Sequence, residues 1–204
     1  MQEIMKKLCL LIITLCFMQG VSAQEAVDLG LSVDWAAYNI GANNPEECGL
    51  FFIGGTKDIY NPQIKIKHLV LPKHTADYSG NPDYDAATAY WGDGWRTPTY
   101  AEWSELIASC NWVWYEYESD GNLICGYQVI GPNGNSIKLP ACIKVKGFLS
   151  SVHGAGYQCS TPFHNFKYLY VFAYFKEKKG INKYKHMIKH DILHTFPTRA
   201  VRDK

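Results

Sequence analysis

The sequence predicts an α+β domain, and three stretches predict it. Residues 99–110 read as a capped amphipathic helix, residues 126–140 as a β-hairpin, and residues 168–175, "YLYVFAYF", as a strand apolar on both faces. One helix of this kind, one hairpin and one buried strand, separated by abundant loop, fit a two-layer α+β domain better than a sandwich or a bundle. At 204 residues the chain is long enough for one sizeable core and is read as a single domain, residues 24–204, behind a leader.

The leader is residues 1–23. Lys6 and Lys7 precede the apolar run 8–18, and Gly20-Val21-Ser22-Ala23 supplies the small side chains of a signal-peptidase site, so cleavage is expected after Ala23. The run is shorter than the roughly 20 residues a membrane helix needs, so no stable span remains after cleavage. The mature chain is then exported, to periplasm, cell surface or medium, where disulfides persist. Five cysteines stay with it: Cys48, Cys110, Cys125, Cys142 and Cys159. An odd number without a C-x-x-C pair allows at most two bridges, leaves the pairing open, and argues against zinc held by thiolates.

Residues 25–38 alternate weakly up to Trp35 and are expected to form the first strand. "GANNPEECG" and the Gly54-Gly55 pair signal turns, and residues 56–85 are polar and broken by prolines, a loop-rich excursion. Residues 85–91, "DAATAYW", read as a short helix. In the next helix Thr99 and Glu102 form a capping box, and Trp103, Leu106, Ile107 and Cys110 make one apolar stripe. Tyr127, Val129, Ile137 and Leu139 then alternate around Asn133-Gly134, a strong reversal signal. Residues 168–175 follow as a mid-sheet strand, and residues 176–180 as a charged turn.

Charge is divided between the two parts of the chain. Residues 160–204 carry ten Lys or Arg against three Asp or Glu, and residues 24–159 carry eight against fifteen. For an exported protein this basic segment faces anionic glycans, anionic lipid headgroups or acidic protein surfaces, and nucleic acid is not an expected partner. Within it Lys178, Lys179, Asn182, Lys183, Tyr184, Lys185, His186 and His190 are the candidate ligand-binding residues. Lysines supply charge, the tyrosine a flat ring, and asparagine and histidine directional hydrogen bonds. The competing reading is a solvated loop that keeps the protein soluble.

His186, His190 and His194 stand four residues apart, a helical metal-site spacing, but Gly180, Asn182 and Pro197 surround them and no apolar stripe links them. On a strand, residues four apart lie about 13 Å from one another, too far to share one ion. Asp83, Asp85, Asp93 and Glu102 lack a calcium-loop spacing. No metal and no cofactor is expected.

The blocks "YWGDGWRTPTYAEWSELIASCNW", "GYQVIGPNGNSIKLPA", "STPF" and "TRAVRDK", together with the opening "AVDLGLSVDWAAYNIGANNPEECG", resemble the exported Fibrobacter succinogenes major paralogous domain family. The resemblance covers nearly all of the mature chain. It implies a C-type-lectin-like, formylglycine-generating-enzyme-like fold: a twisted antiparallel sheet, two helices, paired termini, and long loops presenting a binding surface. It also places residues 190–203 as a loop feeding the closing strand. "RTPTYAEW" is similar to the helix-start block of formylglycine-generating enzymes, but their "GNVWEW" and "RGGSW" motifs are missing. Cys159, in "YQCSTPF", stands where the family has serine, with Gln158 in place of tryptophan. No catalytic residue is therefore expected. Retroelement-diversified lectin-fold proteins are another group of similar scaffold, but the lysine-rich segment does not suit their mutational pattern. The expected function is a secreted, non-catalytic module that binds a glycan or a host or bacterial surface protein, as in adhesion; the alternatives are a formylglycine-generating-type enzyme and a structural subunit of a surface assembly.

Overall fold

A computed structural model describes residues 25–60, 76–92, 94–145, 152–163, 168–176, 183–191 and 194–204. The leader, residues 1–23, lies outside the described residues, as do residues 61–75 of the loop-rich excursion. The described chain is an α+β domain of antiparallel sheets and two short helices. Among the described residues no helix is long and apolar enough to cross a membrane.

The opening is two strands where the sequence suggested one. β1 (Ala26–Asp28) and β2 (Val33–Ala36) pair antiparallel. The reversal between them uses Gly30 at φ 75°, a left-handed conformation that glycine adopts without strain, and its amide donates to the Asp28 carboxylate at 2.7 Å. β12 (Val201–Asp203) pairs with the other side of β2, Val201 opposite Trp35, so the first and last strands share one sheet.

Two helices follow as expected. α1 (Ala86–Trp91) is capped by Asp85, whose buried carboxylate accepts from the amides of Gly80, Ala87 and Thr97 and from the Thr97 hydroxyl. Four donors replace the water this charge gave up, so its burial is tolerated without a cationic partner. α2 (Tyr100–Ser109) carries the Thr99–Glu102 capping box in full. Glu102 also receives both guanidinium nitrogens of Arg96, which reaches Asp203 of β12 at 2.6 Å, fastening the helix start to the C-terminal strand. Trp103 and Leu106 are fully buried, while Ile107 and Cys110 pack at the margin of the same cluster.

The second sheet is larger than the expected hairpin. β5 (Asn122–Ile130) and β6 (Ser136–Pro140) pair with Tyr127 opposite Leu139 and Val129 opposite Ile137. β4 (Asn111–Ser119) adds to the other side of β5 through the tight reversal Asp120-Gly121, both residues at positive φ, 50° and 74°. A third sheet has the order β10-β9-β8-β7, from β7 (Ile143–Val145), β8 (Val152–Pro162), β9 (Tyr168–Lys176) and β10 (Lys183–Asp191). β9 is interior, as its sequence demanded, with residues 171–174 all buried. β3 (Phe51–Ile53) and β11 (Thr195–Pro197) form a two-stranded ribbon.

These sheets close on an aromatic core. Trp103 stacks on Phe172 with ring centroids 4.6 Å apart and meets Trp35 edge-on at 4.8 Å. Tyr127, Tyr157 and Tyr174 complete it, and Trp112 and Trp114 pack from β4. A smaller cluster around Ile40, Phe52, Ala86, Ala87 and Ala200 lies beneath α1. The open question of cysteine pairing resolves to one bridge, Cys48 to Cys142, with Cα atoms 5.5 Å apart. Cys110, Cys125 and Cys159 take no part in a disulfide.

Candidate functional site

The segment read as a basic loop is a strand. β10 pairs along its whole length with β9, from Lys183 opposite Lys176 to Asp191 opposite Tyr168. Residues at alternate positions therefore face opposite sides of the sheet. Lys185, Met187 and Lys189 lie on the sheet face of Tyr174, Phe172 and Tyr170, Lys185 and Met187 half-buried and Lys189 exposed. Met187 packs on the aromatic core. The Lys185 ammonium lies 4.7 Å from the centroid of the Trp112 ring, and that of Lys189 lies 4.7 Å from the Phe163 ring. Both lysines thus rest their charge on aromatic faces, which favours the strand for a lysine-rich stretch.

The other face presents His186, exposed, then Ile188 and His190. Of the eight candidate residues, Lys183, Tyr184, Lys185, His186 and His190 lie together on β10. Lys178, Lys179 and Asn182 lie outside the described residues. β10 is the last strand of its sheet, so among the described strands its outer edge has no neighbour.

The histidines differ from expectation in one respect. His186 and His190 are separated along β10 as strand geometry requires. His190 and His194, however, come together, with ring centroids 4.3 Å apart, and the His194 amide donates to the Asp191 carbonyl at 3.2 Å. His190 also meets the Phe196 ring at 5.1 Å, and its Nδ1 is buried without a hydrogen-bond partner. Burial, and secondarily the neighbouring His194, holds the His190 imidazole below its ordinary pKa. Among the described residues no three His, Cys, Asp or Glu side chains converge as metal ligands would.

Cys159 lies in β8 with only 1% of its surface exposed, and burial pushes its thiol up to about 12. The charged groups that bear on it, Asp77 and Glu102, are carboxylates that disfavour a thiolate further. Neighbouring Gln158 is buried too; its side-chain oxygen lies 3.4 Å from the Tyr78 hydroxyl, and its Nε2 finds no partner. The Tyr78 hydroxyl donates to the Cys159 carbonyl at 3.0 Å.

Sequence reasoning passed over Arg199. Its side chain is fully buried and donates to the Asn39 side chain, the Ala36 carbonyl and the Lys138 carbonyl, binding the first two sheets to the C-terminal segment. Nothing local marks it, since its partners come from distant strands. A concavity between β1 and β6 was likewise unmarked by any motif. No protein-family model, no curated protein and no solved structure matches the chain.

Proposed function

We propose that this chain is an exported, non-catalytic binding module on a C-type-lectin-like scaffold of the Fibrobacter major paralogous type, engaging an anionic glycan or an acidic protein surface through β10 and the basic residues that flank it in sequence. The observation that carries the reading is β10 itself: an edge strand, His186 and Lys189 exposed, in the basic part of the chain. Sharing of one sheet by the first and last strands is what the family resemblance implies, and the five motif blocks support the same scaffold. The disulfide agrees with export. Deep burial of Cys159, with its thiol held protonated, counts against a formylglycine-generating activity.

The test is an array of sulfated, sialylated and neutral glycans and of acidic surface proteins, probed with the mature chain and with a Lys178→Ala, Lys179→Ala, His186→Ala, Lys189→Ala variant. Binding by the parent chain, weakened at least tenfold in the variant and falling with salt, is the expected result. Equal binding by both, or none by the parent, overturns the assignment.

A further inference from the structure

Among the exposed large apolar side chains, Val113, Tyr117 and Leu123 lie on the hairpin of β4 and β5. β6 pairs only with residues 126–130 of β5, so residues 116–125 extend past it as a two-stranded ribbon. β4 is the outer strand of its sheet, and among the described strands none pairs with its far side. It is a long edge, nine residues rich in tryptophan and tyrosine, with no proline or lysine to blunt it.

Its large side chains leave that edge clear. Trp112 and Trp114 both pack on Tyr127, and beyond it on Phe172 and Tyr174 respectively. Tyr115 crosses β5 on the opposite face, its hydroxyl 2.7 Å from where a Cβ on Gly126 would stand. Tyr117 is tethered through its hydroxyl to Glu46.

The occupant of the edge follows from the strand's own sequence, "NWVWYEYES". Two copies of one strand paired antiparallel across a two-fold axis set one residue opposite its own mate. Centring on Glu116 sets a carboxylate against itself, and centring on Tyr117 sets Glu116 against the partner's Glu118; like charges directly opposite are destabilising. Centring on Tyr115 pairs all nine residues. Val113 then faces the partner's Tyr117, Trp112 the partner's Glu118, and Trp114 the partner's Glu116. That register covers the exposed apolar pair and extends it to Ile124, which stands opposite Tyr117 on β5. Lys185 already lies over the Trp112 ring, so its ammonium meets the partner's Glu118 on each side of the axis. Glu116 stands diagonal to its own mate at about 7–8 Å, a repulsion that keeps the association modest.

We propose that this protein forms a two-fold dimer by antiparallel pairing of β4 with β4 of a second copy, Tyr115 at the axis, joining two three-stranded sheets into one. Main-chain hydrogen bonds supply the attraction, and the side-chain register supplies the specificity.

The experiment is sedimentation equilibrium of the mature chain from about 1 μM to about 300 μM, a span suited to an interface at the small end of the specific range. Hydrogen exchange of residues 111–119 is followed at both ends of that span. The variants are Val113→Lys, Glu118→Lys, Lys185→Glu and the double variant Glu118→Lys, Lys185→Glu, with the thermal midpoint as the folding control. Val113 and Glu118 are exposed, so their variants remain informative even where Lys185→Glu lowers stability. The parent should pass from one chain to two, with slower exchange along β4 in the dimer. Val113→Lys should associate at least about tenfold more weakly, since a lysine on an edge strand opposes pairing. Each single charge reversal should weaken association at least about threefold and the double variant should recover it, because opposite charges facing across strands favour pairing. Within one chain Glu118 is six residues along β4 from Trp112, about 20 Å, so recovery reports a contact between chains. A single chain at every concentration overturns the proposal, as does growth beyond two chains or unchanged exchange along β4. Equal association by Val113→Lys, or a double variant no better than the single reversals, overturns it too.

Discussion

The Arg199 guanidinium donates to the main-chain carbonyl of Lys138 at 2.6 Å across 61 residues of chain. Two further bonds, to the Asn39 side chain at 2.9 Å and the Ala36 carbonyl at 2.8 Å, leave this wholly buried cation with three neutral acceptors. Burial lowers its pKa to about 10, which keeps it charged at neutral pH. Arg199→Ala orphans three acceptors at about 1–3 kcal/mol each, partly offset by no longer burying a charge, for a net loss of about 3 kcal/mol. The thermal midpoint should fall by roughly 6–12 °C. Arg199→Lys should fall nearly as far, because one ammonium cannot span three acceptors. A midpoint unchanged in both would contradict this account.

Cys48 and Cys142 are joined across a separation of 94 residues. Closing a loop of that size restricts the unfolded chain by about 4–5 kcal/mol in the chain-entropy description. Dithiothreitol should therefore lower the denaturant midpoint of the parent protein substantially, and should have no effect on a Cys48→Ser, Cys142→Ser double variant. Reduction without a shift in the parent would show that the bridge does not restrain the folded state's competitor.

His190 gives stability a pH dependence of predictable sign. Its folded pKa lies below the ordinary 6.5, so between the two values the unfolded chain binds more protons and stability rises with pH. The contribution is complete above the unfolded value and is lost as pH falls through 6.5 toward the folded one. Urea midpoints measured from pH 8 to pH 5 should decline, and His190→Phe should flatten the part of that slope centred just below pH 6.5. A steeper slope in the variant would reverse the assignment.

Cys159 should resist alkylation. With its thiol up at about 12, less than one molecule in ten thousand is ionised at neutral pH by the tenfold-per-unit rule, and burial denies the reagent access. Iodoacetamide at pH 7.5, followed by peptide mapping, should leave Cys159 unmodified in the native protein and modify it in urea. Rapid native labelling would reopen a nucleophilic role.

Local signals carried the parts of this fold that local chemistry decides. Thr99 with Glu102 named a helix start, Asn133-Gly134 a hairpin, and eight consecutive apolar residues the interior strand β9. β4 was missed although Asp120-Gly121 is as good a reversal signal as Asn133-Gly134. β8 was missed because its glycines and polar residues at 153–161 follow no clear alternation. β10 was read as a loop from its lysines and histidines. What overrides that composition is tertiary: Trp112 and Phe163 supply the rings on which Lys185 and Lys189 rest. Five of the eight candidate residues fall on β10, and which face each of them takes depends on register with β9. The cleft at β1 and β6 depends on two sheets meeting, and no short stretch encodes it.

The pairing of β12 with β2 has a kinetic consequence. Val201 is the neighbour that Trp35 waits for, and the Arg96 clasp on Asp203 waits for the same strand. Until residues 201–203 dock, β2 keeps one row of amides and carbonyls unsatisfied and the aromatic core lacks a wall. Non-local closure of this kind is slow to search, so the opening strand and the wall of the aromatic core are completed only when residues 201–203 dock, late in folding.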